Sequence, residues 1–477
     1  MASHRCRYAQ TLTIRRSRIV QATKAHLIKD KHIAAYANRR IGVDASAWLH
    51  RGCVMYSYEI ITQTEPWRKK RMTPPWIDYP LRMITLLSNN GITPVIVFDG
   101  VSSPAKGPTS AKRRARKETA KSKGLELLRQ GNEAAARKVL FGAFEVTSEM
   151  TVDLIIELKK RRIEFVVAPY EADAQLAYMA STGSIDGVIT EDSDLFAYGC
   201  DKPILFKLCP AGTVEELTLG RLLGGAGDFQ GWSEEELRAL CVLSGCDFLP
   251  SIKGMGFKTA LKVMKKHGTR AGAETLARTL EQLQAMDRWK AACSAEYCVG
   301  AMMAIETFRY SLVYDVERQQ CVHMNSEDAT FQELVAEGRD LTHLGPRVVR
   351  GEEGLLEQVC RGEVCGRTFS KIDVNERVWT GGTHCTTTTR KEPVKGGIFN
   401  FLYKKGKENV GENAREKVVE QRERVSSVEK NANAKALAPT WQSTPLDHPK
   451  KQKKEHSKEH SNRASIKHFI DFWKPSQ

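Results

Sequence analysis

The chain has 477 residues and carries 73 Lys and Arg against 57 Asp and Glu, a formal net charge of +16. Its 41% hydrophobic share supports a folded core of two or three ordinary domains. The basic excess favours a polyanionic partner, because each cation set near a phosphate releases a condensed counterion. No stretch reaches the roughly 20 apolar residues needed to span a bilayer, and residues 1–40 hold no apolar run of the signal-peptide kind, so a soluble, intracellular protein with no membrane partner is expected.

The 12 cysteines are scattered without a CxxC pair. Neither Cys241 with Cys246 nor Cys360 with Cys365 has the second pair or histidine cluster that would complete a zinc set, so reduced thiols are expected.

Residues 1–37 are basic and weakly patterned, and no element is assigned to them. From Arg40 to about Leu249, short apolar runs (residues 41–43, 94–98, 163–168, 187–190 and 204–206) alternate with helical stretches. Continuous apolar strands alternating with helices predict a mainly parallel sheet covered on both faces, an α/β architecture. Residues 105–142 interrupt the alternation. Their segment SAKRRARKETAKSK is nearly free of apolar side chains, and a further helix is expected over residues 125–139. A helix polar all round has no face to bury, so it is expected to project from the body; a solvated surface helix is the alternative.

The segment SGCDFLPSIKGMGFKTALKVMKKHG follows at residues 244–268. Its Gly254-Met255-Gly256 turn opens an apolar-periodic helix bearing Lys258, Lys262, Lys265 and Lys266, an arrangement that presents helix N-terminal amides to phosphate. Helix is expected to continue to about Tyr314 and irregular chain to about Asp373. From about Gly382 the chain is polar and reads as disordered.

Acids recur where strands end. Asp44 closes IGVD, Asp99 closes PVIVFD, and Asp192 and Asp194 follow GVIT. Open parallel sheets place ligand sites beyond the carboxyl ends of their strands. Glu171 and Asp173 follow EFVVAP at the start of a helix; there, acids that merely complement the helix dipole are an equally good reading of this one pair. Asp247 lies among apolar neighbours in SGCDFL, where a carboxylate needs a partner. Seven gathered carboxylates repel one another, and hard divalent cations relieve that conflict; all-oxygen ligands point to Mg²⁺ or Mn²⁺ rather than zinc. Two such ions about 4 Å apart suit phosphodiester hydrolysis, and with the basic arm they favour a nuclease over a small-molecule phosphatase.

In order and spacing, IGVDASAWLH, VIVFDG, PYEADAQLAYM, ITEDSDLFAYG and LSGCDFLPSIKGMG resemble the structure-specific 5′ nucleases related to flap endonuclease. The resemblance covers roughly residues 39–373. It implies a PIN-like domain with an N-terminal nuclease region (39–150) bearing a helical arch at about 105–142, an internal nuclease region (151–249), and a helix–two-turn–helix element with a C-terminal helical part (250–373). An atypical segment (1–38) precedes these and a disordered basic tail (382–477) follows.

The resemblance further implies that Asp44, Asp99, Glu171, Asp173, Asp192, Asp194 and Asp247 hold two Mg²⁺ ions, with Mn²⁺ able to substitute. Lys106 and Arg113 fall on the basic pair that reaches from the arch to the scissile phosphate. His50 falls on a residue that meets DNA near its bend, and Arg114 and Arg116 are expected to add backbone contacts. Gly254, Gly256 and Lys258 fall in the element that grips uncleaved duplex. A K⁺ ion bridging protein and DNA is implied at Ser244, Ser251 and Met255.

The implied activity is a 5′→3′ double-stranded DNA exonuclease with 5′-flap endonuclease activity, acting on 5′ ends, nicks and flaps in nuclear mismatch repair, recombination and end resection. A flap endonuclease or junction resolvase of the same group and a non-catalytic DNA-binding repair scaffold are the alternatives. Two departures stand out. The N-terminal segment lacks the family's Met-Gly-Ile start and Gly-Leu-Leu stretch, and Ser46 replaces an aromatic that stacks on substrate.

In the tail, PKKQKK (449–454) reads equally as a nuclear import signal or a solvated charge run. Phe469, Phe472 and Trp473 show clamp-binding-like spacing, and IFNFLY (398–403) is a second candidate segment, so a sliding clamp or mismatch-repair proteins are the expected tail partners.

Overall fold

A computed structural model describes residues 26–64, 73–267, 274–345 and 354–374 of the chain. The tail segments singled out above lie outside the described residues, as does most of segment 1–38.

The chain enters through β1 (Ile28–His32) and β2 (Arg40–Asp44), then α1 (Ala45–Val54), α2 (Ser57–Ile61), α3 (Asp78–Asn89) and β3 (Thr93–Phe98). A 3-10 turn at Pro104–Lys106 leads into α4 (Gly107–Arg129), α5 (Glu133–Ala143) and α6 (Ser148–Arg161). Next come β4 (Phe165–Val167), α7 (Ala172–Ser181), β5 (Gly187–Ile189), a 3-10 turn at Asp194–Phe196, β6 (Ile204–Phe206) and β7 (Thr213–Leu217). The remainder is mostly helical: α8 (Leu219–Gly224), α9 (Glu234–Ser244), α10 (Phe257–His267), α11 (Thr275–Ala285), α12 (Asp287–Lys290) and α13 (Ala295–Tyr310). The hairpin β8 (Leu312–Asp315) and β9 (Gln320–His323) follows, then α14 (Ala329–Ala336), a 3-10 turn at Thr342–Leu344 and α15 (Leu355–Cys360).

Seven strands form one sheet in the order β1-β7-β6-β5-β2-β3-β4. The neighbours from β6 through β4 pair in parallel, as expected, while β7 and β1 add an antiparallel edge. Alternation along the strands splits the core between two faces. Val95, Val97, Val166, Val188, Ile204 and Phe206 pack on one face; Ile41, Val43, Ile96, Phe98, Val167, Ile189 and Leu205 pack on the other.

The structure corrects two expectations. Residues 28–32 form an edge strand although IKDKH has almost no apolar pattern. What holds it is pairing with β7 and the reach of Lys31 and Tyr36 to the buried Glu216 carboxylate, tertiary contacts that carry no local periodicity. The helix expected to about Tyr314 ends at Tyr310, and the chain from there to Asp373, expected to be irregular, carries among its described residues the β8–β9 hairpin, α14 and α15; these elements are short, which blurs their periods.

The expected polar helix is longer than its basic core. α4 spans 23 residues and ends beside Gly131, after which α5 starts on the Asn132 cap. The polar face of α4 is exposed, and its packing is concentrated on α5, where Gly124 meets the Leu140 side chain.

Where β3 exits, Gly100 donates its amide to the Tyr170 carbonyl (2.9 Å) and Val101 to the Pro169 carbonyl (3.0 Å). These bonds seat the segment after Asp99 against the segment before Glu171. A Cβ on Gly100 would lie 1.9 Å from the Ala168 carbonyl oxygen, so backbone must shift to accept one. Gly100→Ala is therefore expected to lower unfolding free energy by about 1–3 kcal/mol in denaturant titration. An unchanged midpoint would contradict this close approach.

Candidate active site

Five of the seven acids are carried by the ends of parallel strands or the turns that follow them. Asp44 ends β2 and caps α1, accepting the Ser46 amide at 2.9 Å, while the Thr190 hydroxyl beyond β5 lies 3.3 Å from its other oxygen. Asp99 follows β3 and accepts the Ser46 hydroxyl at 2.6 Å and the Ala172 amide at 3.0 Å. Glu171 is the N-cap of α7, and Asp173 sits in its first turn. Asp192 donates its amide to Thr190 Oγ1 (3.0 Å) and accepts the Asp194 amide (3.1 Å), so the loop after β5 is folded on its own acids. Asp247 comes from the loop after α9.

Two cations stand against this cluster. Lys106, on the turn before α4, donates to Glu171 and lies 3.1 Å from Asp247 Oδ2. Arg113, in the second turn of α4, grips Asp247 with both terminal nitrogens, at 3.2 and 2.5 Å. The structure thus brings together all seven predicted acids and both predicted bases.

The charge state reflects crowding. Burial first, then Asp99, raises Asp44 to about 7. Burial followed by the charge of Asp192 pushes Asp173 and Asp194 far above the usual carboxylate range, and burial also raises Asp192. Burial raises Glu171 as well, although Lys106 opposes it. Burial works the same way on Asp247, but Lys106 and Arg113 outweigh it and hold that carboxyl low. For Lys106 burial opposes the charge, yet Glu171, Asp247 and Asp99 together drive its pKa up.

Among the described residues, no three acids, histidines or cysteines converge closely enough to hold a metal ion as the side chains stand. Lys106 and Arg113 tie up Glu171 and Asp247, so the acids are gathered at one edge without forming a closed coordination shell. The donor chemistry still fits a hard divalent cation, since all seven side chains offer carboxylate oxygens and desolvation and neighbouring acids raise Asp44, Asp173 and Asp194, a conflict that a cation relieves.

Other expected residues are placed as follows. His50, on α1, lines a cavity of about 240 Å³ with Ser46, Asp99, Lys117 and Arg367, and burial followed by Lys117 lowers its pKa. Arg114 and Arg116 are exposed on α4. Gly254 faces the Trp289 ring, Gly256 has open space where a side chain would be, and Lys258 is exposed in the first turn of α10. Ser244 ends α9 with its hydroxyl on the Cys241 carbonyl, Ser251 packs against Gly245, and Met255 is buried. Ser244 and Ser251 thus meet at one turn. The cysteines among the described residues are free thiols.

Sequence reasoning missed three supporting residues. Thr190 links Asp44 to the Asp192 loop, and Ser46, noted only for its lost aromatic, bridges Asp44 and Asp99. A hydroxyl beside an acid at a strand end was the available signal for both. Arg238 donates to the Ala197 carbonyl (2.7 Å) behind the Asp194 turn; its helical surroundings gave no hint of that. Glu191, although it neighbours Asp192, turns away to Arg51 (2.5 Å).

The XPG N-terminal domain matches residues 17–120 and the XPG I-region matches residues 162–247, ranges that include all seven acids and both bases. Two domains of the XPG family, its N-terminal domain and its I-region, are therefore matched in this chain. The resemblance read from its motifs is borne out, and within the family WLHRG and SGCDFLPSIKGMG look most like exonuclease 1. Accordingly, the chain is 32% identical to Exonuclease 1 of Xenopus laevis over 346 residues, 72% of this chain and 44% of that relative. Over 345 residues it is 34% identical to Exonuclease 1 of Danio rerio, 72% of this chain and 40% of the relative. The chain therefore spans less than half the length of these two relatives. Among solved structures it is similar to the catalytic core of Rad2 in complex with DNA substrate (21% identity, 61% of this chain and 84% of that one, TM-score 0.41). It is also similar to flap endonuclease-1 from Methanococcus jannaschii (19% identity, 60% and 83%, TM-score 0.37).

The raised acids of this site set a pH dependence. A carboxyl whose folded pKa exceeds its unfolded value stabilises the fold at low pH and loses that contribution as pH rises to the folded value. With Asp44 lifted to about 7, metal-free protein should lose on the order of 2–4 kcal/mol of stability from this group between pH 4 and 7. Asp44→Asn should flatten that part of the profile in denaturant titrations. Equal slopes for the two proteins would contradict the assignment.

Proposed function

We propose that this chain is a divalent-metal-dependent 5′ nuclease: a 5′→3′ exonuclease on double-stranded DNA that also cuts 5′ flaps, in nuclear mismatch repair, recombination and end resection. The observation that carries the reading is the carboxylate cluster at one sheet edge with Lys106 and Arg113 set against it from α4 and the turn before it.

Asp44, Asp99, Glu171, Asp173, Asp192, Asp194 and Asp247 would hold two Mg²⁺ ions, or Mn²⁺ in their place. When bound, such ions supply Lewis acidity and water activation for phosphodiester hydrolysis. The chain's own groups do the rest. Lys106 and Arg113 neutralise Glu171 and Asp247 in this structure, and with a phosphodiester in the site they stabilise its developing negative charge. Arg114 and Arg116, exposed on the same helix, add sequence-independent attraction for the DNA backbone.

A second contact lies at α10. The space beside Gly256 and the exposed Lys258 suit the close approach of a duplex phosphate to a helix N-terminus. The turn carrying Ser244, Ser251 and Met255 is the proposed K⁺ site. His50, on α1 near Asp99, is positioned to meet DNA at its bend.

The test is purified protein with Mg²⁺ on a nicked duplex, a 5′-flap and a four-way junction. Processive shortening from 5′ ends and flap removal are expected. Loss of nothing from any substrate would sink the enzyme reading, and symmetric junction cutting would favour a resolvase. Asp194→Ala should abolish cleavage while DNA affinity stays within about twofold, since it removes an acid and leaves the basic contacts. Lys106→Ala should lower kcat by about 10²–10³-fold. Normal turnover by either variant would show the site to be misassigned.

A further inference from the structure

Lys106 acts from a three-residue turn, so something outside that turn must fix its direction. The 3-10 turn Pro104–Lys106 packs against the turn Thr342–Leu344, and both pack against α13. At that junction Glu306 of α13 is 1% exposed, and His343 Nε2 lies 3.0 Å from its Oε2. Arg339 Nη2 approaches the other oxygen at 3.5 Å. The next residue, Gly345, is at φ +107, and a Cβ there would lie 2.5 Å from the Tyr170 ring. Tyr170 immediately precedes Glu171, the acid that Lys106 contacts. Segment 342–345 therefore touches the supports of both members of the Lys106–Glu171 pair.

Apolar packing alone gives this segment little specificity. Leu344 shares a small cluster with Tyr310, Phe331 and Leu334, separate from the two cores that flank the sheet. A buried carboxylate is costly unless paired, and apolar replacement of such a pair is often neutral or stabilising. What the close contacts of Glu306 with His343 and Arg339 add is a preferred geometry.

We propose that the buried Glu306–His343 pair is a positioning device: it fixes the turn Thr342–Leu344 so that Lys106 and Glu171 are held in register for catalysis. The proposal rests on the nuclease reading, and neither residue touches substrate. Its effect passes through Lys106, which defines the test.

Single-turnover cleavage at saturating enzyme, DNA affinity and amide hydrogen exchange would be measured for wild type, His343→Leu and Glu306→Leu/His343→Leu, each with and without Lys106→Ala. The double apolar variant guards against a single variant that fails to fold. Misplacing a catalytic group by an ångström costs on the order of 10–100-fold, so a cleavage loss of that size is expected with affinity unchanged. In the Lys106→Ala background the same changes should add almost nothing, because coupled residues are not additive. Peptides covering residues 104–106 and 170–171 should exchange faster, while β2 and β3 are unaffected. A wild-type rate and wild-type exchange in the double apolar variant would overturn the proposal, as would a loss that persists in full without Lys106. If the wild-type chain cleaved nothing, the nuclease reading would fall, and the exchange pattern would still decide the positioning role.

Discussion

Mutual repulsion among clustered carboxylates is the constraint on which the rest of this molecule turns. Desolvation, followed by the charges of neighbouring acids, raises the pKa values of Asp44, Asp173, Asp192 and Asp194. No fold gathers acids in this way for its own stability. The arrangement costs free energy that Lys106 and Arg113 only partly offset, because their ion pairs among the described residues are with Glu171 and Asp247.

The fold makes that conflict possible by fixing the acids before they can separate. Parallel strands β2 to β5 end on one edge, and their side chains alternate between two apolar cores that lock strand register. Hydroxyls then tie the edge together: Ser46 joins Asp44 to Asp99, and Thr190 joins Asp44 to the Asp192 loop. Arg113 arrives on an inserted helix whose packing among the described residues is concentrated on α5, while Lys106 sits on the turn before it, so Arg113 is attached to the site chiefly through its charge. This division between a rigid acidic edge and a lightly packed basic arm suits a site that exchanges internal ion pairs for contacts with a polyanion.

Much of this was legible in the sequence because strand-end acids are a local signal. Runs such as PVIVFD announce both a buried strand and the acid delivered at its end, and five strands were placed within about two residues this way. The acids' convergence followed from topology, since parallel strands share an edge. β1 was invisible because IKDKH is held by Glu216, a residue far along the chain. The hairpin β8–β9 and helix α14 were too short to show a period. Residues that back others, such as Arg238 behind Asp194 and Glu306 behind the turn carrying His343, lie on helices where charge normally means a solvated face. Only the packed structure shows them turned inward.

The central claim is that divalent cations relieve the repulsion in the acid cluster. Its most direct test is calorimetric titration of the full chain with Mn²⁺ near pH 7 in buffers of different ionisation enthalpy. A cation competes with protons for carboxyls whose pKa values are raised, so the expected result is saturable binding of two ions with proton release, both lost in Asp173→Asn. Binding without proton release, or binding that survives Asp173→Asn unchanged, would contradict the account.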